Sequence, residues 1–322
     1  MSARLEAMEH QAPLPPELPA GRVVNVPGRG EVFVRDQPGP SGPLSGEDGP
    51  KDGPTILLLH GWTVSADLNW WAAYAALRGI GRVLAIDHRG HGRGMRSEQR
   101  FSLEAAADDA AALLETMGVR SAVLVGYSMG GPIALHLWHR HPHLVDAIVF
   151  EATALEWRAS RRERWGWKFM GGVELFFRSS KASSVIDRAL REAIFVQPAL
   201  AEHRAWFKAE LGRGDPREIA DAGRALGEYD ARPFAGDLDV PAAVVLTTKD
   251  RQVRPGKQRA LANATRARVF ELVGDHEVCW LRAPEFADAT RRAVASVVAQ
   301  LAQVEDADDV AGAAVCAGDP HA

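Results

Sequence analysis

The sequence predicts an α/β fold in which a mostly parallel sheet is covered by helices on both faces. Two observations predict it. Short runs of small and β-branched apolar residues, typical of strands buried on both faces, alternate with helix-like patterns. Polar segments follow these runs, at the sheet edge where such folds bind ligands. The runs are Thr55–Leu59, Arg82–Ile86, Ala122–Val125, Ala147–Phe150, Asp239–Thr247 and Arg268–Leu272.

The other elements are also visible as patterns. Two short strands, 22–26 and 31–35, flank a Pro-Gly-Arg-Gly turn and predict a hairpin. Residues 154–232 interrupt the alternation and look helical, whereas 1–20 and 305–322 are predicted to be disordered. Helices are predicted over Asp67–Leu77, Ser102–Met117, Gln258–Ala262 and Pro284–Val304.

Composition limits the classes of function. The 322 residues are 46% hydrophobic and 25% charged, which allows a large core in one domain or two. A net charge of −4 gives no reason to expect nucleic-acid binding. The two cysteines, Cys279 and Cys316, favour a reducing compartment over a structural disulfide. Neither a membrane-length apolar run nor a signal-peptide core is present, so we predict a cytoplasmic protein without an integral membrane segment.

The stretch Ser121–Pro132 reads as a strand, a tight turn and a helix, with Ser128 at the centre of a G-x-S-x-G pattern. Such a turn holds its serine in a strained conformation and presents the hydroxyl beside a helix N-terminus, where negative charge is favoured. The pattern alone is a modest signal, since an ordinary strand-to-helix loop contains the same residue types. Its meaning depends on whether the chain also supplies a base, an acid and an oxyanion donor.

Five motifs in order resemble the α/β-hydrolase superfamily. They are Leu57–Trp62 (LLLHGW), Asp87–Gly94 (DHRGHGRG), Gly126–Gly131 (GYSMGG), Thr247–Pro255 (TTKDRQVRP) and Gly274–Val278 (GDHEV). The resemblance implies an eight-stranded core sheet, formed here by residues 21–153 and 233–304. It also implies a helical cap inserted after the sixth strand, where residues 154–232 interrupt the alternation.

The resemblance implies that Ser128 is a nucleophile and His276 the base that takes its proton. His276 follows the last predicted strand, where the family places its histidine. The family usually has glycine just before this histidine, and Asp275 stands there instead. His60 and His91 are alternatives on neighbouring loops, and the resemblance makes them hydrogen-bonding residues of those loops.

Two carboxylates compete for the third catalytic position. Asp250 ends one predicted strand and is favoured by the resemblance, but Glu151 ends another, and some family members carry the acid there. An oxyanion hole needs two backbone N–H groups. By resemblance they come from Met129, which follows the serine, and from Trp62, which follows His60-Gly61.

Three further groups of residues invite functional interpretation. Arg93 and Arg96 are expected to be exposed, with an anionic substrate as the alternative. The cap is rich in aromatic residues, which favours packing together with an apolar substrate pocket over docking on a lipid surface. The histidines His136, His139, His141 and His143 invite a metal hypothesis, but we interpret them as solvated side chains near a helix end.

The expected function is that of a serine hydrolase cleaving a carboxylic ester of an apolar small-to-medium molecule through an acyl-enzyme, with no metal or organic cofactor. Lactonase, thioesterase and cofactor-free perhydrolase chemistry use the same three residues and remain alternatives. A non-catalytic ligand receptor that retains the fold is an alternative of a different class. The oligomeric state is left open.

Overall fold

The computed structural model of the protein describes residues 15–40, 53–158 and 201–316. Its eight strands are β1 (Gly21–Val26), β2 (Gly30–Gln37), β3 (Thr55–Leu59), β4 (Arg82–Ile86), β5 (Ala122–Tyr127), β6 (Val145–Glu151), β7 (Ala242–Thr247) and β8 (Arg268–Leu272). They form one sheet in the order β1-β2-β4-β3-β5-β6-β7-β8. The β1/β2 and β2/β4 pairs are antiparallel and the other pairs are parallel. The predicted fold class is confirmed.

Helices cover both faces of this sheet. They are α1 (Ala66–Trp70), α2 (Ala73–Leu77), α3 (Leu103–Thr116), α4 (Gly130–Arg140), α5 (Arg204–Leu211), α6 (Pro216–Glu228), α7 (Pro255–Ala264), α8 (Val278–Leu281) and α9 (Ala283–Cys316). Alternate strand residues face opposite layers. Leu57 and Leu59 of β3 pack in the layer that holds α3 and α4, whereas Ile56 and Leu58 pack in the layer that holds α2 and α9.

The parallel register brings the carboxyl ends of the central strands to one edge of the sheet. Leu59 of β3 is level with Gly126 of β5, and Tyr127 of β5 is level with Glu151 of β6. Glu151 is in turn level with Val245 of β7. The loops that follow these strands therefore start from a common edge, which is where parallel sheets bind their ligands.

The structure differs from the predicted helix bounds mainly in three places. Helix α7 runs over Pro255–Ala264, whereas Gln258–Ala262 was predicted. The predicted helix Asp67–Leu77 is divided into α1 and α2, although Trp71 and Ala72 between them keep right-handed helical dihedral angles. Helix α9 continues past Val304 to Cys316, through a stretch predicted to be disordered. Alanine recurs along this stretch and is the strongest helix former, which accounts for the longer helix.

The predicted N-terminal arm and cap are described only in part. Residues 1–14 of the arm lie outside the described residues, but Leu18 packs against the core, and Arg35 Nη1 donates to the Pro19 carbonyl at 2.8 Å. Residues 159–200 of the predicted cap also lie outside the described residues. Helices α5 and α6 belong to the same predicted region. Asp215 caps α6 by accepting the N–H groups of Arg217 and Glu218, at 2.8 and 3.1 Å.

Arg93 joins helix α5 to the core. Its guanidinium lies 2.6 Å from a Glu210 oxygen on α5, 3.2 Å from Asp67 and 3.5 Å from Asp87. All three carboxylates are buried, and the Arg93 side chain is only 22% exposed. The expectation that Arg93 is exposed is therefore wrong, because the guanidinium is needed to balance these buried negative charges. Arg96 is exposed, as expected.

No helix in the described part of the chain combines the length and the apolar character that crossing a membrane requires.

Candidate active site

Ser128 lies at the sharp turn between β5 and α4. Its φ is +50°, a left-handed conformation that costs a non-glycine residue about 1–3 kcal/mol. Its N–H donates to the Glu151 carbonyl at 2.8 Å. Its own carbonyl accepts from the Gly131 N–H at 3.0 Å and from the Thr153 hydroxyl at 2.7 Å. These three hydrogen bonds hold the turn in its strained geometry.

Close packing explains the glycines on either side of the serine. A Cβ at Gly126 would lie 2.4 Å from the Gly130 carbonyl oxygen, and a Cβ at Gly130 would lie 1.9 Å from the Leu59 carbonyl oxygen. Atoms cannot approach so closely, so a side chain at either position would push the strand, the helix and β3 apart. The G-x-S-x-G pattern is therefore a packing requirement of this turn.

Backbone strain is concentrated near this edge of the sheet. Among the described residues, four non-glycine residues have a left-handed φ: Thr63, Ser128, Ala152 and Arg266. The first three lie just beyond the carboxyl ends of β3, β5 and β6. Strain of this kind persists only where surrounding contacts enforce it, and it clusters at functional sites.

His276 joins Ser128 to Asp250. Its Nε2 lies 3.0 Å from Ser128 Oγ, and its Nδ1 lies 2.8 Å from Asp250 Oδ2. This arrangement suits a neutral imidazole that donates its Nδ1 proton to the carboxylate and accepts the serine proton at Nε2. The Asp250 side chain is fully buried and that of His276 is 13% exposed. The structure thus brings these three sequence-predicted residues together.

The loop that carries His276 is fixed by two residues that sequence reasoning did not identify as supports. The Tyr127 hydroxyl donates to the His276 carbonyl, and Asp275 Oδ1 accepts the His276 backbone N–H at 2.9 Å. Burial raises the pKa of Tyr127, so the hydroxyl keeps the proton that it donates. Tyr127 directly precedes the serine, but no local sequence pattern indicates that its hydroxyl bonds the His276 carbonyl. Helix α8, which begins at Val278 just after this loop, was not predicted from the sequence.

Glu151, the alternative acid, occupies a different environment. Its side chain is completely buried, and neither carboxyl oxygen has a hydrogen-bond partner within the described ranges. Burial raises the pKa of this carboxyl to about 8. A hydrogen bond from the Thr290 hydroxyl would lower this pKa, but that hydroxyl donates to the Phe286 carbonyl at 3.0 Å. At neutral pH Glu151 is therefore mostly protonated, whereas Asp250 is hydrogen-bonded to the imidazole.

The loop after β3 passes directly beside the serine. A Cβ at Gly61 would lie 3.4 Å from Ser128 Cβ, and the Gly61 N–H donates to Asn69 Oδ1 at 2.9 Å. Trp62 follows on this loop. Met129 follows the serine and immediately precedes α4, so its backbone belongs to the N-terminal end of that helix. The two predicted oxyanion donors therefore belong to the two segments that meet at Ser128.

The sequence matches known proteins in a way that agrees with this architecture. A family profile described as alpha/beta hydrolase fold matches residues 54–283, well over half of the chain. The chain belongs to the α/β-hydrolase family. The five motifs that carried the predicted resemblance lie within this range, so the predicted family is confirmed.

Relatives of this α/β hydrolase include an esterase and a bifunctional esterase/perhydrolase, and an enol-lactonase shares its fold. It is 30% identical to a pimeloyl-[acyl-carrier protein] methyl ester esterase of Chromobacterium violaceum, over 66% of this chain and 82% of that protein. It is 41% identical to a bifunctional esterase/perhydrolase of Acinetobacter calcoaceticus, over 32% of this chain and 38% of that one. The enol-lactonase from Burkholderia xenovorans shares the fold, with a TM-score of 0.69 at 23% identity over 85% of this chain and all of that one.

The rings of His88 and His91 pack beside that of His60, and all three are buried. His60 Nδ1 bonds the Gly61 carbonyl at 2.7 Å, and its Nε2 accepts the His88 backbone N–H at 2.9 Å. Burial lowers the pKa of His88 to about 3 and that of His91 to about 4. Burial and the neighbouring imidazoles also lower the pKa of His60. All three rings are therefore neutral scaffold at neutral pH.

The second histidine group has mixed surroundings. His139 and His143 are exposed, as expected. His136 and His141 are partly buried, and His141 Nε2 lies 2.8 Å from an Asp108 oxygen, so the expectation that they are solvated is wrong. The described parts of the chain contain no group of three His, Cys, Asp or Glu side chains arranged to hold a metal ion.

Helix α6 of the predicted cap docks on the loop that follows β3. The indole Nε1 of Trp62 donates to the Ile219 carbonyl at 2.7 Å. A Cβ at Gly223 would lie only 2.5 Å from the Trp62 ring, so this position has no room for a side chain. Trp62 therefore packs against α6 through its side chain while its main chain remains part of the loop beside Ser128.

Proposed function

We propose that this α/β hydrolase is a serine hydrolase that cleaves a carboxylic ester through an acyl-enzyme. The observation that carries the proposal is His276, whose imidazole lies 3.0 Å from Ser128 Oγ and 2.8 Å from Asp250 Oδ2. A serine hydroxyl is a weak nucleophile and needs an adjacent base, which in turn needs an orienting group. The esterase among the relatives supports ester chemistry.

Each residue then has a defined role. Ser128 Oγ attacks the carbonyl carbon while His276 Nε2 takes its proton, and Asp250 stabilises the imidazolium. The backbone N–H groups of Trp62 and Met129 bind the oxyanion that develops on the carbonyl oxygen. The imidazolium protonates the departing alkoxide, which leaves an acyl group on Ser128. The same imidazole then activates a water molecule that releases the acid.

We also propose an apolar substrate of small to medium size, held beneath a cap formed by residues 154–232. The aromatic residues of this region support the proposal, but not all of them contribute to a pocket. Trp206 and Phe207 pack in the core layer with α9. The aromatic residues between 165 and 195 lie outside the described residues. The low cysteine content supports a cytoplasmic location.

A fluorophosphonate probe tests the nucleophile directly. The wild-type protein should be labelled and should hydrolyse p-nitrophenyl esters, and Ser128→Ala should lose both properties. Ser121→Ala makes the same change at the other end of β5 and should retain both. A wild-type protein that is neither labelled nor active supports a ligand receptor. Labelling that persists in Ser128→Ala identifies another nucleophile and contradicts the proposal.

A further inference from the structure

The two oxygens of the Asp250 carboxylate are held by different parts of the chain. Oδ1 accepts the backbone N–H groups of Gln252 and Val253, at 2.9 and 2.7 Å, within its own loop. Oδ2, the oxygen that faces His276 Nδ1, also accepts the Thr247 hydroxyl at 2.9 Å. The oxygen that contacts the imidazole is therefore positioned by a side chain from the end of β7.

The direction of the Thr247 hydroxyl proton is set by Gln258. Gln258 is completely buried in α7, and its Nε2 donates to Thr247 Oγ1 at 2.7 Å and to the Val253 carbonyl at 2.7 Å. Its Oε1 accepts the Thr247 N–H at 3.0 Å. These partners allow only one orientation of the amide. Because Oγ1 receives a proton from Gln258, its own proton points to Asp250.

Two buried carboxyl groups near the same sheet edge, those of Glu151 and Asp250, differ in the hydrogen-bond donors around them. Glu151 has no hydrogen-bond donor within the described residues, and burial raises its pKa to about 8. Asp250 is equally enclosed, yet its oxygens receive two backbone N–H groups, the Thr247 hydroxyl, the His276 Nδ1–H and a long contact from Gln258 Nε2 at 3.4 Å. Donors on both oxygens fix the orientation of the Asp250 carboxyl group, and this orientation in turn sets that of the imidazole.

We infer that Thr247 and Gln258 are positioning residues that fix Oδ2 of Asp250 and, through it, the imidazole of His276. The inference rests on the proposed function. Neither side chain contacts His276 or Ser128 by hydrogen bonding, so both act through Asp250. Without them Oδ2 keeps only the imidazole as a donor, while Oδ1 stays bound to its own loop. The plane of the carboxylate is then less tightly fixed, which misaligns the base with the serine hydroxyl.

Kinetics of Thr247→Val and Gln258→Met test this role. Each change removes a donor while nearly preserving volume, and each should lower kcat roughly 10-fold with KM unchanged, because misplacing catalytic groups by less than 1 Å has effects of this order. The double variant should lose no more than a single variant, since the residues act in series. Thr247→Ser keeps the hydroxyl and should recover most of the loss.

Thr265→Val is the matched control. Thr265 is buried in the segment just after α7, and its hydroxyl bonds the Leu261 carbonyl at 2.8 Å without reaching Asp250. This variant should keep the wild-type kcat. If Thr247→Val does not fold, Gln258→Met carries the same comparison. Folded variants whose kcat stays within about 2-fold of wild type would overturn the inference.

A proton NMR signal gives a readout that does not depend on turnover. In protein labelled with ¹⁵N-histidine, the Nδ1 proton of His276 should resonate downfield because it is bonded to Asp250. The signal should move upfield or broaden in Thr247→Val and Gln258→Met but not in Thr265→Val. If wild type has no esterase activity but the signal still changes in the two variants, the proposed function is refuted and the positioning role is retained. An unchanged signal in both variants would refute the positioning role.

Discussion

Glu151→Gln should make the stability of this protein less sensitive to alkaline pH. The carboxyl of Glu151 is completely buried and has no hydrogen-bond partner in the described part of the chain. Burial raises its pKa to about 8, from an ordinary value of 4.5. An amide of nearly the same shape has no proton to lose in this range, so the variant isolates the cost of ionising this position.

The sign and size follow from proton linkage. Between pH 4.5 and 8 the unfolded chain releases the Glu151 proton while the folded chain retains it. Ionisation therefore stabilises the unfolded state, and the free energy of unfolding falls as the pH rises through this interval, then levels off above 8. The difference between the two pKa values corresponds to roughly 5 kcal/mol. About two-thirds of this loss is present at pH 7.

Urea denaturation of wild type and Glu151→Gln at pH 5, 7 and 9 measures the effect. The variant should gain stability relative to wild type across this series, by several kcal/mol between pH 5 and 9. Glu31→Gln makes the same chemical change on an exposed side chain and should show no such trend. Parallel pH dependence of wild type and Glu151→Gln would refute the reasoning and imply that the carboxyl has donors or water.

Three other substitutions test the site and its scaffold. In steady-state kinetics, Asp250→Asn should lower kcat by about 10⁴-fold, whereas Glu151→Gln should leave kcat within about 3-fold of wild type. The opposite ranking would mean that Glu151, not Asp250, is the carboxylate that orients His276. Gly223→Ala places a Cβ 2.5 Å from the Trp62 ring and should lower kcat roughly 10-fold by displacing the loop beside Ser128, so a wild-type kcat would contradict this coupling. His88→Leu removes an imidazole whose pKa is about 3 in the folded protein. In the unfolded chain a histidine gains a proton below about pH 6.5, which stabilises the unfolded state. Between pH 7 and 5 the free energy of unfolding should therefore fall by roughly 2 kcal/mol more in wild type than in the variant. Equal losses in urea titrations at the two pH values would count against that assignment.

The parts of the site that local patterns encode could be predicted from the sequence. The glycines around Ser128 are required by contacts within one strand, turn and helix, so their spacing is readable. Asp250 and His276 follow predicted strands, and in a parallel sheet strand ends meet at one edge. The positions of the parallel strands were also accessible, because buried parallel strands are short continuous apolar runs. Their exact ends were not: Ala122–Val125, Ala147–Phe150 and Asp239–Thr247 were predicted where the strands are Ala122–Tyr127, Val145–Glu151 and Ala242–Thr247.

Contacts between distant segments could not be predicted in this way. The Tyr127 hydroxyl reaches the carbonyl of His276, 149 residues away, and no local pattern specifies that partner. Glu151 ends β6 and Asp250 lies three residues beyond β7, so both were predicted at strand ends. Only the surrounding donors distinguish a protonated carboxyl from one that holds an imidazole. The division of the predicted helix Asp67–Leu77 after Trp70 has no local sequence signal, and Trp71 and Ala72 keep helical dihedral angles.

The ion pairs of Arg93 limit how chimaeras can be made between this hydrolase and its relatives. It pairs with Asp67 and Asp87 of the core and with Glu210 of α5, and so links two parts of the chain. Arg35 also pairs with Asp67, and Arg213 also pairs with Glu210. A chimaera that imports a foreign segment without a carboxylate at position 210 weakens this attachment. One that replaces Arg93 leaves buried acids short of a partner. Positions 93 and 210 should therefore be exchanged together.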